Sequence, residues 1–238
     1  LLWFFFIWQA TLGESMTEKT LFITLEGGDG AGKSTQIKLL SDWMNKRSIS
    51  HILTKEPGSS YVAECVKIRE LLLNPGNDLA TNTELLLFLA DRAQHVTKLI
   101  KPTLNEGKHV ICDRYSDSTR IYQCARGLSR SKVDMLIDFA TYGLKPDLTF
   151  ILDIPVEIGL KRAKAKSAYK EGDRMESAGT KFHEDVRHGF LKLAESITEH
   201  RFRVINVAPP KTIEEIHKEI IEHVSKKLWI DEMENENE

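Results

Sequence analysis

Residues 27–34 read Gly-Gly-Asp-Gly-Ala-Gly-Lys-Ser, a complete G-x-x-x-x-G-K-[ST] string between an apolar run at 21–25 and a helical pattern through Ile37, Leu40 and Met44. Chance would place such a string in about one chain in a hundred of this length, before the flanking strand and helix are required. Glycines let successive backbone N–H groups turn inward around phosphates, and the helix that follows adds the positive end of its dipole. Lys33 is then placed to bridge the β- and γ-phosphates of ATP, and the Ser34 hydroxyl to ligate Mg²⁺. Gly27, Gly28, Asp29, Gly30, Ala31, Gly32 and Thr35 complete the candidate nucleotide loop.

The rest of the chain repeats the strand-then-helix rhythm. Short apolar runs at 51–54, 109–112, 148–152 and 204–207 each read as a strand, and helix-spaced apolar positions occupy 62–73, 83–100 and 213–228. Asn74-Pro75-Gly76 separates the first two of these helices. Alternation of this kind implies an α/β fold of the P-loop NTPase type, a parallel sheet with helices on both faces. At 238 residues one domain suffices, spanning 16–230. Met16 reads as the natural start, residues 1–15 as an upstream or non-native extension outside the fold, and the acidic stretch 231–238 as a solvated tail.

Composition excludes several alternatives. Lysine and arginine total 33 against 35 acidic residues, so no overall positive field marks a nucleic-acid partner. The apolar run at 1–8 is too short to span a bilayer and lacks a preceding basic residue, so no membrane segment or secretory signal is expected. Cys65, Cys112 and Cys124 form no CxxC pair and are too few for a disulfide framework, which fits a cytoplasmic protein.

A phosphate loop alone does not separate kinases from GTPases and motor ATPases. No NKxD tetrapeptide for guanine is present; the nearest string, Asn45-Lys46-Arg47-Ser48, ends in serine directly after the first helix. Asp113-Arg114 closes the third strand, where strand ends of such sheets converge on the ligand crevice. Asp113 is placed to hold the Mg²⁺ shell and Arg114 to clamp a phosphate through two charge-assisted bonds. An isolated Asp-Arg pair would read as a surface ion pair; the phosphate loop upstream tips the balance.

Further segments extend the pattern. These are residues 26–35, Thr54-Lys-Glu-Pro-Gly58, Phe88-Leu-Ala-Asp-Arg92 with His95, Asp113-Arg-Tyr115, Ser118-Thr119, Tyr122-Gln123, Lys145-Pro-Asp-Leu148 and Leu160-Lys-Arg-Ala163. With them the chain closely resembles the bacterial thymidylate kinases from Thr20 to about Leu228. The resemblance implies that Phe88 stacks on thymine, Arg92 bonds the base, and Thr119 reads the pyrimidine edge. It implies that Tyr122 crowds the sugar 2′ position, that Asp29 meets the 3′-hydroxyl or the metal shell, and that Pro57 is cis. Pro57, Ser118 and Gln123 join the implied dTMP site, and a homodimer is implied. Without the family, Phe88 would read as an ordinary core aromatic beside Leu85 and Leu89. Lys55, Ser59, Ile121, Lys164 and Lys166 depart from the common pattern; lysine keeps the charge of arginine but not its planar fork.

Residues 161–187 are crowded with charge and broken by Gly172 and Gly179, and read as a mobile basic lid rather than a packed element. In thymidylate kinases of the other broad type an arginine in the loop meets the γ-phosphate. Position 30 here is glycine, so the resemblance assigns that role to lid cations, Arg162 and Arg174 first, with Lys164 and Lys166 beside them. The acceptor phosphate is already ionised and needs no general base. Rival readings are an adenylate-type monophosphate kinase, a deoxynucleoside kinase, which must deprotonate a hydroxyl, and a catalytically silent nucleotide-binding regulator.

Overall fold

A computed structural model of the chain describes residues 20–166, 179–195 and 200–235. Five strands form its sheet: β1 (Phe22–Glu26), β2 (His51–Lys55), β3 (His109–Asp113), β4 (Leu148–Asp153) and β5 (Phe202–Asn206). They lie in the order β2-β3-β1-β4-β5, every pair parallel, with Phe22 opposite Val110 and Ile23 opposite Leu148. Both faces of β1 are buried, so the strand carries no polar alternation. Leu21, Ile23 and Leu25 pack with Ile37, Leu40 and Met44 of α1 (Lys33–Asn45) and with Ile216, Ile220 and Val224 of the last helix. Phe22 faces the other way, onto Val96, Ile100, Val110, Cys112 and Tyr115.

From β1 the chain runs to edge strand β2, returns to β3 beside β1, then crosses to β4 on β1's other side. Loops leaving the carboxyl ends of β1 and β3 therefore part in opposite directions, opening the crevice that α/β sheets use for ligands. α2 (Ala63–Leu73) and α3 (Thr81–His95) follow β2. The expected helix 83–100 is α3 continued by a π turn at Val96–Ile100 and by short α4 (Lys101–Asn105).

Five helices differ from the sequence reading. Helices α5 (Ser116–Ala125) and α6 (Arg130–Thr141) occupy a stretch to which it assigned site residues but no secondary structure. The buried face of α5 comprises Ser116, Asp117, Thr119, Ile121, Tyr122 and Gln123, so there is no apolar stripe for periodicity to detect. The charged stretch is not all surface: residues 161–166 belong to α7 (Val156–Lys166), and 180–187 open α8 (Thr180–Ala194), whose Val186 is fully buried against Phe190 and Ile151. The apolar spacing that marks α8, at 183, 186, 190 and 193, runs past the point where the charge density ends. Closing helix α9 (Ile213–Asn235) continues into the stretch read as a tail.

Candidate active site

At the end of β1 the loop is forced open by positive φ at Gly27, Gly30 and Gly32 (131°, 70° and 90°). Gly30 has a second reason to be glycine: a Cβ there would stand 2.0 Å from the backbone oxygen of Gly159 in α7. A Cβ on Gly159 would in turn meet the Asp29 oxygen at 2.5 Å, so the loop and α7 touch backbone to backbone. The Gly32 carbonyl accepts the first helical bonds, from Thr35 and Gln36 at 3.1 Å.

Lys33 bends back under the loop, its Nζ donating to the carbonyls of Gly28 (2.9 Å) and Gly27 (3.2 Å). Burial, followed by the Arg114 guanidinium, brings the Lys33 ammonium down to about 8 from its ordinary 10.5. Folded Lys33 thus binds fewer protons than unfolded lysine between those values, and its charging costs stability in full below about 8, which is recovered as pH rises from about 8 to 10.5. Triphosphate would favour the ammonium again. ATP binding above that pH should therefore take up a proton, with uptake shrinking toward neutrality; calorimetry in buffers of different ionisation enthalpy reads it. Proton-neutral binding at alkaline pH would place the triphosphate away from Lys33.

Ser34 Oγ donates to Asp113 Oδ2 at 3.2 Å. Among the described residues no group of three or more His, Cys, Asp or Glu could cage a metal. The Ser34–Asp113 oxygen pair instead suits a hard cation such as Mg²⁺, which takes its remaining ligands from phosphate and water. Arg114, itself at φ 66°, reaches back across β1. Its Nη2 donates to Asp29 Oδ1 (2.7 Å), and its Nη1 to the Gly27 carbonyl and Ser118 Oγ (both 3.0 Å). The guanidinium lies over the Tyr122 ring, 5.2 Å from its centre.

A cleft beside this cluster is lined by Asp29, Pro57, Phe88, Arg92, Thr119 and Tyr122, with Ser118, Gln123, Glu56 and Arg69 completing its wall. Phe88 is half-buried in this wall, whereas Leu85 and Leu89 of the same helix join the core. Arg92 is only 2% exposed. Its Nε donates to Glu56 Oε2 (2.7 Å), Nη1 to Thr119 Oγ1 (2.9 Å) and Nη2 to the Tyr115 carbonyl (3.0 Å). Glu56 also holds His95 Nδ1 at 2.8 Å, and the Glu56–Pro57 peptide is cis. Gln123 donates from Nε2 to the buried Glu84 carboxylate (2.7 Å), which fixes its amide; its Oε1 is buried and has no hydrogen-bond partner among the described residues. Ile121, one of the departures from the family's pattern, is not in the wall; it faces Gly189 of α8.

A second cavity runs along the loop past Lys33, Ser34, Thr35, Lys55 and Asp113 to Arg162 and Ala163 of α7. Arg174 lies outside the described residues. Three contributors went unassigned by sequence reasoning. Glu26, fully buried, accepts the Tyr115 N–H (2.8 Å) and the Ser118 hydroxyl (2.6 Å); burial and then Asp117 push its carboxyl up to about 7. Asp91, with its carboxyl raised to about 6 by burial and then by Glu56, accepts the Gly58 N–H at 3.0 Å. Arg69 donates to the Pro57 carbonyl at 2.6 Å and lines both cavities. A basic residue facing back from the helix after Glu-Pro-Gly was the available signal for Arg69; an acidic residue closing a wholly apolar strand was the signal for Glu26.

A phosphate loop, a hydroxyl–carboxylate pair beside it and an arginine between it and a separate cleft define a P-loop phosphotransferase with a second substrate. The sequence profile of the thymidylate kinase family matches residues 25–220. The chain is 47% identical to the thymidylate kinase of Carboxydothermus hydrogenoformans over 186 residues, which is 78% of this chain and 88% of that protein. It is 48% identical to that of Desulfosudis oleivorans over 196 residues, 80% of this chain and 90% of the relative. With the thymidylate kinase of Cutibacterium acnes it shares 44% identity over 207 residues, 86% and 96% of the two chains. The chain belongs to the thymidylate kinase family.

Proposed function

We propose that this chain transfers the γ-phosphoryl group of Mg-ATP directly to dTMP, forming dTDP for dTTP synthesis. The observation that carries the choice of acceptor is the polar pattern of the cleft. Arg92 brings N–H groups to the cleft wall and Thr119 a hydroxyl that can donate or accept, with the fixed Gln123 side chain beside them. Thymine offers a carbonyl next to a ring N–H and matches that pattern; cytosine reverses it, and a mismatched buried polar group is costly. Phe88 supplies the stacking face, and Tyr122, packed against Phe182 and Phe190, fills the space a ribose 2′-hydroxyl would need.

The acceptor oxygen needs no base, so catalysis is alignment and charge neutralisation. Lys33 exchanges its loop carbonyls for the β- and γ-phosphates, and Arg114 turns from Gly27 and Asp29 toward the acceptor phosphate. Ser34 and Asp113 would hold Mg²⁺, which neutralises the phosphates when bound. Arg162 of α7 and Arg174 would supply lid cations, and Arg69 a further charge at the acceptor end. No helix among the described residues is long and apolar enough to cross a membrane, and a cytoplasmic setting is part of this reading. So is a homodimer, supported by exposed Met135 and Phe139 on α6.

The test is ADP release with dTMP, dUMP, UMP, CMP and AMP as acceptors. We expect dTMP first, then dUMP, and the others far behind; a preference for AMP or CMP would overturn the assignment. Phe88→Ala should weaken dTMP by about 1–3 kcal/mol in calorimetry and leave ATP affinity as the unchanged control. Equal losses for both ligands would return Phe88 to a packing role.

A further inference from the structure

Asp29 sits at a corner shared by three cavities: the acceptor cleft, the nucleotide cavity and a small third one beneath the loop. That third cavity is bounded by Gly27, Gly28 and Asp29 on one side and by Leu160, Phe190 and His183 on the other. Its lining is largely apolar apart from Asp29, His183 and the Asp153–Arg187 pair, whose guanidinium and carboxylate hold each other at 2.7 and 2.9 Å. His183, on the first turns of α8, is 4% exposed, and its Nε2 is buried with no hydrogen-bond partner among the described residues. Phe182 packs edge-on against the ring. A histidine nitrogen in such a place is costly to keep unless it is used.

Asp29 supplies the use. Burial opposes ionisation of Asp29, yet the Arg114 guanidinium, the Lys33 ammonium and the His183 ring together hold its carboxyl below the usual range. The strongest of these partners is the one that must leave: Arg114 cannot direct its fork at an acceptor phosphate while Nη2 stays 2.7 Å from Asp29 Oδ1. The Asp29 backbone is held where it is, its oxygen seated against Gly159, so the carboxylate stays in this corner of the site. When Arg114 turns, a largely buried carboxylate loses its closest cation, and such an uncompensated charge would resist acceptor binding.

We infer that His183 is a positioning residue for the acceptor step: its Nε2–H takes over the Asp29 carboxylate as Arg114 turns to the acceptor phosphate. His183 touches neither reacting phosphate. It lowers the cost of freeing the arginine, so its contribution is felt in acceptor binding and not in the use of ATP. The inference rests on dTMP as acceptor and deepens that reading.

The test compares His183→Phe, which keeps a ring but cannot donate, with His183→Gln, whose amide donates from a similar reach. Parental turnover of dTMP is measured first, so failure of the acceptor assignment shows there, independently of the variants. Thermal unfolding establishes that both variants fold. We expect His183→Phe to raise KM and calorimetric Kd for dTMP about tenfold, with KM for ATP unchanged and kcat little affected. His183→Gln should recover most of that loss. In an Asp29→Asn background, which removes the charge to be compensated, His183→Phe should have little further effect on dTMP affinity. Parental dTMP affinity in His183→Phe, equal losses in the Phe and Gln variants, or undiminished effects in the Asp29→Asn background would each overturn the inference.

Discussion

Lys33→Ala should reduce kcat by about two to three orders of magnitude, the range seen when one preorganised charge partner of a transition state is removed. Affinity for dTMP should hardly change, since the Lys33 ammonium sits under Gly27 and Gly28 and is not part of the acceptor cleft. Turnover measured beside dTMP calorimetry separates the two. An alanine variant with most of its activity would remove the loop lysine from the chemistry. The loop itself should stay formed, because its shape is set by the glycine conformations and the packing on α7, not by the lysine bonds alone.

The second large effect is on stability. Arg92→Ala should lower the unfolding free energy by about 3–5 kcal/mol, because it strands the buried Glu56 carboxylate. Arg92 and Glu56 side chains are both 2% exposed, and the arginine ties α3 to the cis-proline loop and to α5 through Thr119 and the Tyr115 carbonyl. His95 remains as a second partner for Glu56, which keeps the loss from being larger. Urea unfolding measures the change. A parental midpoint would mean that Arg92 acts on the base alone and has no part in holding the site's walls together.

That double role of Arg92 marks the limit of what the sequence could disclose. The phosphate loop was legible because its requirements are contiguous: glycine at set spacing, then lysine and serine, between a strand and a helix. The sheet was legible because each strand carries a short run of apolar or β-branched residues that ends in polar or turn residues. Arg92 could be placed near the base by resemblance, but its clasp on Glu56 depends on β2 and α3 meeting across 36 positions, which no local pattern encodes. Helix α5 escaped notice for a related reason: the face it buries is largely polar and includes Thr119, Tyr122 and Gln123 of the cleft wall. Periodicity finds helices that face a hydrocarbon core, and α5 faces the cleft. Ile121 is the converse case: it stands next to the site in sequence but points into α8 in space.

The contact between Gly30 and Gly159 has a consequence for how this scaffold can be altered. The resemblance to thymidylate kinases implies two designs for neutralising the γ-phosphate, a cation in the loop and a cation on the lid, and a designer would wish to convert one into the other. Here the conversion is barred by packing. An arginine at position 30 would need a left-handed backbone at φ 70° and would drive its Cβ into the helix that carries Arg162. The same close approach that leaves no room for a loop cation brings α7 onto the phosphate loop, with Arg162 one turn beyond the contact. The two designs are therefore alternative architectures rather than alternative residues, and exchanging them would require rebuilding α7 together with the loop.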